Sequence, residues 1–189
     1  MFHKAVITVV EAFESLNIPY AIGGSVASSV RGIARATNDV DFIASLALRR
    51  VDQFAEKIRP DFYADEDHIR ASLEHRRPFN VIHMPTAFKI DIFPATEAFH
   101  YAQLEQSTLA TFGFFGEQLT CRVVSSEDIV LAKLRWFNES GRRSEQQWRD
   151  VSAVLTASST RLDREYLDQW AQKLGLSELL EKAINESQI

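Results

Sequence analysis

Residues 23–42, GGSVASSVRGIARATNDVDF, limit what this chain can become more than any other stretch. An apolar run, Ile18-Pro19-Tyr20-Ala21-Ile22, leads into the two glycines, and the stretch closes on two aspartates one residue apart, Asp39 and Asp41. The pattern reads as strand, turn, helix, strand. Gly23 and Gly24 have no Cβ, so the backbone there can reach positive φ and come close to a ligand. Ser25 follows, and residues 26–31 continue as a short helix-compatible run. A helix starting near Gly24 would aim unpaired N–H groups and the positive end of its dipole into the turn. Such a turn is either an anion site or an ordinary Gly-Gly-Ser bend.

The aspartates bear on that choice. Val40 and Phe42 alternate with Asp39 and Asp41, so on a strand both carboxylates share one face and both apolar side chains share the other. Neighbouring like charges repel, and strands disfavour Asp. A cation between them removes the repulsion, and hard oxygen donors suit Mg²⁺ or Mn²⁺ rather than zinc. The bland alternative is a solvated pair at a strand end.

Together the two halves resemble the signature of the DNA polymerase β-type nucleotidyltransferase superfamily: Gly23-Gly24-Ser25, thirteen residues, then Asp39-Val40-Asp41-Phe42. The run Arg35-Ala36-Thr37-Asn38-Asp39-Val40-Asp41 is similar to the Arg-x-Thr-x-Asp-x-Asp form of AbiEii-like minimal bacterial nucleotidyltransferases. The resemblance covers most of residues 18–155. It implies a third carboxylate on a neighbouring strand, and Asp91 is the candidate. Residues 79–84 read as a strand, Pro85-Thr86 as a turn and residues 88–93 as the returning strand. There Phe88, Ile90 and Ile92 face one way while Lys89, Asp91 and Phe93 face the other. An acid between two isoleucines is costly unless paired or metal-bound; the alternative is a surface aspartate on a half-exposed sheet.

The rest of the chain supports a single globular unit. Its 189 residues are 46% hydrophobic and 25% charged, ordinary for a soluble protein. The one cysteine, Cys121, excludes an internal disulfide and reads as an apolar filler of a strand over 119–124. No run approaches membrane-spanning length and the start lacks a secretory signal, so the expected place is the cytoplasm, with no membrane partner. A net charge of −5 gives no general attraction for nucleic acid.

Val6, Val9, Val10 and Phe13 recur at helical spacing. So do Leu48, Val51, Phe54, Ala55 and Ile58, on a helix over 47–58. Residues 65–74 carry Asp65, Asp67 and His68 and read as a solvated helical face; 97–106 has helix character. Residues 109–115 and 118–124 flank Gly116-Glu117 as a hairpin. Ser125 and Asp128 resemble a capping box. In the helix that follows, Lys133 lies on an apolar stripe with Ile129 and Phe137, where it must snorkel out or meet an anion. In AbiEii-like proteins a lysine in such a helix is implied to reach the nucleotide phosphates. Asp150, in Trp148-Arg149-Asp150-Val151, resembles part of a closing motif of the same group. It serves either as a salt link, to Lys133 or another cation, or in the chemistry. Tyr166, Leu167, Trp170 and Leu174 form a final apolar face, broken at Gly175 and resumed at Ser177.

The expectation is an α/β (α+β) nucleotidyltransferase fold. A short mixed sheet with packed helices spans residues 1–124, and a C-terminal helical extension over 125–189 belongs to the same compact unit. The implied activity is metal-dependent transfer of a nucleoside monophosphate from a nucleoside triphosphate, with ATP as a candidate, to tRNA, a protein or a small hydroxylated molecule such as an aminoglycoside. Asp39, Asp41 and Asp91 would hold Mg²⁺ or Mn²⁺. Gly23, Gly24, Ser25, Arg35, Thr37 and Lys133 would attend the nucleotide, and Asp150 would support them. Two alternatives stay open: a toxin-like role with a cognate antitoxin as partner, and a catalytically degenerate protein that binds a nucleotide or a partner.

Overall fold

A computed structural model describes residues 2–32, 37 and 39–187. Arg35 lies outside the described residues. The chain forms two compact units, the first comprising the described residues of Met1–Ser25 and Thr37–Val123, the second those of Val26–Ala36 and Val124–Ile189.

The first unit is built on a mixed sheet of seven strands in the order β3-β4-β5-β2-β1-β7-β6. They are β1 (Tyr20–Ile22), β2 (Asp39–Ala44), β3 (Phe62–Tyr63), β4 (Phe79–His83), β5 (Phe88–Pro94), β6 (Thr108–Phe114) and β7 (Glu117–Val123). Strand β2 runs antiparallel to β1 and parallel to β5. Alternation sets the two faces, as the period of two requires. On one, Val40, Phe42 and Ala44 of β2 are buried with Ile90 and Ile92 of β5 and Phe79 and Val81 of β4. Helix α1 (Phe2–Ser15) covers it: the Phe13 ring lies 5.6 Å from Phe42, 5.4 Å from Tyr20 and 5.1 Å from Phe54 of α3 (Val51–Ile58). Aromatic side chains of this size contribute about 2–3 kcal/mol each when fully buried, so this cluster dominates the unit's core. The opposite face carries the charged residues.

Three local details depart from the sequence reading. Leu48 does not join the stripe of α3; residues Leu48–Arg50 form a 3-10 turn ahead of that helix, and Leu48 is 41% exposed. The β6–β7 turn is at Phe115-Gly116, one residue earlier than Gly116-Glu117, with Phe114 paired to Glu117 and φ of 49° and 84° at the two turn residues. Positive φ at both is what a two-residue hairpin loop needs to match strand twist. Strand β3 gave no sequence signal, being only two residues long. Helix α4 (Glu66–Glu74) is capped by Asp65, which accepts a hydrogen bond from the His68 N–H, and α5 (Ala98–Gln106) follows β5.

The second unit is helical: most of α2 (Gly24–Arg31), then α6 (Ser126–Glu139), α7 (Glu145–Ser158), α8 (Arg164–Leu174) and α9 (Ser177–Ser187). Ser125, Ser144 and Asp163 each accept a hydrogen bond from the N–H three residues on, which satisfies an orphan donor at the start of α6, α7 and α8. Ile129, Val130, Leu134, Val151, Val154, Leu155, Leu167 and Leu180 make the core. Gly32, at the end of α2, sits so close to α7 that a Cβ there would meet Val154 Cγ2 at 3.1 Å and the Val154 nitrogen at 3.2 Å. No helix among the described residues is long and apolar enough to cross a membrane.

Candidate active site

The acidic face of the sheet is created by strand parity. Val40 and Phe42 are drawn into the core, which leaves Asp39 and Asp41 on the other side, both half-buried. Because β5 runs parallel beside β2, Asp91 falls in register with Asp41, and Lys89 with Asp39. Registered partners on adjacent strands point to the same face, so three carboxylates and one ammonium share it. Asn80 of β4, in register with Asp91 on the far side, adds a polar group to that face. The sequence had placed Asp91 on a neighbouring strand through the resemblance; the structure makes that neighbour β2 itself.

The glycine turn is fitted to the same carboxylate. The Gly23 N–H donates to the Asp41 carbonyl at 2.9 Å. Gly24 has φ +54°, and a Cβ built on it would fall 1.8 Å from Asp41 Oδ2, 2.6 Å from its Cγ and 2.9 Å from its Cβ. The missing side chain of Gly24 is therefore the space that the Asp41 carboxylate fills. Gly23 has no such constraint: a Cβ there would meet only Ile43, at 3.8 Å. Of the two glycines, Gly24 alone has a positive φ. Ser25 is the second residue of α2 and is half-buried. Thr37 donates its hydroxyl to Asp39 Oδ1 at 2.8 Å, which holds that carboxylate in one orientation.

Lys89 Nζ stands 2.6 Å from Asp91 Oδ2; the two side chains are 49% and 19% exposed. The hydrogen bond to Asp91 lifts the Lys89 ammonium above its ordinary pKa. Desolvation opposes the shift, and the charges of Asp91, Asp39 and Asp41 add to it. Lys89 was legible only as a residue of the same parity as Asp91.

The donor types are those that a hard divalent cation takes. The residues are carboxylate oxygens from adjacent, registered strands, and the turn beside them has given up a side chain to admit one of those carboxylates. Among the described residues no three His, Cys, Asp or Glu side chains are already grouped as a metal site, and Asp91 is engaged by Lys89.

In the second unit, Lys133 Nζ lies 2.9 Å from Asp150 Oδ2, with the side chains 8% and 7% exposed, and Gln146 Nε2 donates to Asp150 Oδ1 at 2.8 Å. This ties α6 to α7. Asp128, expected only as a capping acid, is fully buried. It accepts hydrogen bonds from Ser125 Oγ and Tyr166 Oη, both at 2.8 Å. Burial pushes its carboxyl up to about 6 against the lowering effect of those hydrogen bonds. In the first unit, burial raises the Cys121 thiol to about 12, which suits a core filler rather than a nucleophile.

No protein-family model matches the sequence, and no curated protein matches it. Solved structures do. An antigenic nucleotidyltransferase-like protein from Paracoccidioides brasiliensis aligns with a TM-score of 0.56 at 18% identity, over 97% of this chain and 90% of that one. ANT(2'')-Ia in complex with adenylyl-2''-tobramycin aligns with a TM-score of 0.54 at 16% identity, over 99% and 98%. The solution structure of the antibiotic-resistance factor ANT(2'')-Ia gives 0.52 at 14% identity, over 97% and 93%. With strand order, register and turn geometry already in hand, these likenesses give the chain a nucleotidyltransferase fold.

Proposed function

We propose that this protein transfers a nucleoside monophosphate from a nucleoside triphosphate to a hydroxyl of a small-molecule acceptor. The observation that carries the reading is the registered Asp41–Asp91 pair, with Asp39 on the same face and Gly24 hollowed to receive Asp41. A binding module has no need of three carboxylates on one sheet face. The small-molecule class comes first among acceptors because ANT(2'')-Ia, of the same fold, was solved with adenylyl-2''-tobramycin. The Arg35-x-Thr37-x-Asp39-x-Asp41 run supports an AbiEii-like subtype within this reading.

Asp39, Asp41 and Asp91 are the residues that would hold Mg²⁺ or Mn²⁺. Bound there, the ion supplies charge neutralisation of the triphosphate and lowers the pKa of the acceptor oxygen. The chain's own residues do the rest. Thr37 keeps the Asp39 carboxylate oriented through its 2.8 Å hydrogen bond. The positive φ of Gly24 carries the backbone close to Asp41, and Ser25 offers a hydroxyl at the start of α2 where phosphate oxygens are favoured. Asp91 would also help to take the acceptor's proton. Most of the rate enhancement in such a site is positioning and charge stabilisation. The buried pair with Asp150 supports a helix-linking task for Lys133.

The test is pyrophosphate release. Purified protein, Mg²⁺ and each labelled triphosphate are incubated with a panel of aminoglycosides and other polyols, with tRNA and with cell protein, and the label is followed. Asp41→Asn should lower turnover by at least about 1000-fold while circular dichroism stays unchanged. Turnover at the wild-type level in that variant removes the assignment. No pyrophosphate with any triphosphate leaves a protein that binds without transferring.

A further inference from the structure

We infer that Lys89 is a built-in counter-ion of the acidic face, holding Asp91 through its ammonium and giving it up when a divalent cation enters. The inference rests on the metal-holding part of the proposed function.

Lys89 and Asp91 are two residues apart on β5, so they share a face by parity, and that face is the one bearing Asp39 and Asp41. Lys89 is in register with Asp39, and its Nζ reaches along its own strand to Asp91 at 2.6 Å. The ammonium thus lies on the face that carries the acids of both strands, near enough to feel the charges of Asp39 and Asp41 as well as Asp91. The Lys89 side chain is half in solvent, so it has room to swing away from Asp91. The Lys89 ammonium takes Asp91 Oδ2, one of the two oxygens that a cation on this face would use. Entry of the ion places a divalent charge beside the ammonium, and the repulsion drives Lys89 off Asp91. Both effects weaken cation binding relative to a chain with a neutral side chain at 89. The consequence is a site that tolerates its clustered acids without a metal and takes one up only at higher concentration. The displaced ammonium is then available to an anionic ligand on the same face.

The experiment is a Mn²⁺ titration, by electron paramagnetic resonance of the free ion, on the wild-type chain, Lys89→Met, Lys89→Arg and Asp91→Asn, without nucleotide. Lys89→Met should bind Mn²⁺ about ten-fold more tightly than wild type. Its metal-free melting temperature should fall and the rise on adding Mn²⁺ should grow. Lys89→Arg, which keeps the charge, should remain near wild type, and Asp91→Asn should lose affinity. If wild type and Lys89→Met bind Mn²⁺ equally, the counter-ion inference fails and the metal reading stands. If no variant binds Mn²⁺, both fail.

Discussion

Two adjacent glycines make opposite commitments, and replacing each by alanine separates them. In Gly24→Ala the new methyl would overlap Asp41 at three atoms, at 1.8, 2.6 and 2.9 Å. Rotating the carboxylate could relieve the first two. It cannot relieve the third, because the Asp41 Cβ is carried by the backbone of β2, which is paired on both sides, to β1 and to β5. The turn must therefore move, and it must do so at a residue whose φ of +54° already disfavours a side chain. The left-handed backbone costs roughly 1–2 kcal/mol and the overpacking roughly 1–3 kcal/mol, so destabilisation of about 2–5 kcal/mol is expected. Shifting turn or carboxylate by about an ångström should lower turnover about 100-fold even in the molecules that fold. Gly23→Ala meets only Ile43 at 3.8 Å, an ordinary contact, and should change stability by less than about 1 kcal/mol. Urea unfolding of both variants measures the first quantity, and pyrophosphate release at saturating Mg²⁺ and triphosphate measures the second. Equal stability for the two variants would refute the steric argument. A destabilised Gly24→Ala with wild-type turnover would refute the placement of the turn in the active site.

Two further outcomes follow from the helical unit. The raised carboxyl of Asp128, about 6 in the folded chain against an ordinary 3.8, means that the unfolded chain ionises first as pH rises. Stability from this group is therefore fully present below about pH 4, falls between about pH 4 and about pH 6, and is flat above. Integrated from about pH 5 to about pH 7.5, the loss is roughly 1.5 kcal/mol; Asp128→Asn should remove it, and urea midpoints of the two chains that run parallel across that range would exclude the carboxyl as its source. Lys133→Met leaves Asp150 buried opposite an apolar chain and should cost about 3–5 kcal/mol, while adding Asp150→Leu should recover most of it. An Mg²⁺-nucleotide titration on folded Lys133→Met then reads whether the lysine also meets phosphate; unchanged affinity confines it to linking α6 and α7.

What was legible in the sequence followed the range of the interaction concerned. The β4–β5 hairpin could be read because Pro85-Thr86 punctuates two alternating runs. The parity of Phe88, Ile90 and Ile92 against Lys89, Asp91 and Phe93 came with it. The adjacency of β5 to β2 could not be read that way. The two strands are parallel, separated by α3, β3, α4 and β4, and no turn residue records their register. It was the resemblance, not periodicity, that put a third carboxylate next to the first two. The same limit explains Asp128. Its neighbours Ser125 and Glu127 identify a helix start, but the group that helps to bury it is Tyr166, 38 residues further on, and no local pattern announces that hydroxyl. It also explains why Gly23 and Gly24 looked equivalent: both lack a Cβ, and only the approach of Asp41 across the β1–β2 pair makes one of them indispensable. Lys89 belongs with these. An Asp and a Lys two apart on a strand look like a routine surface pair until register sets them beside Asp39 and Asp41. At that point the lysine stands as a positive charge that register sets on the face of the three carboxylates.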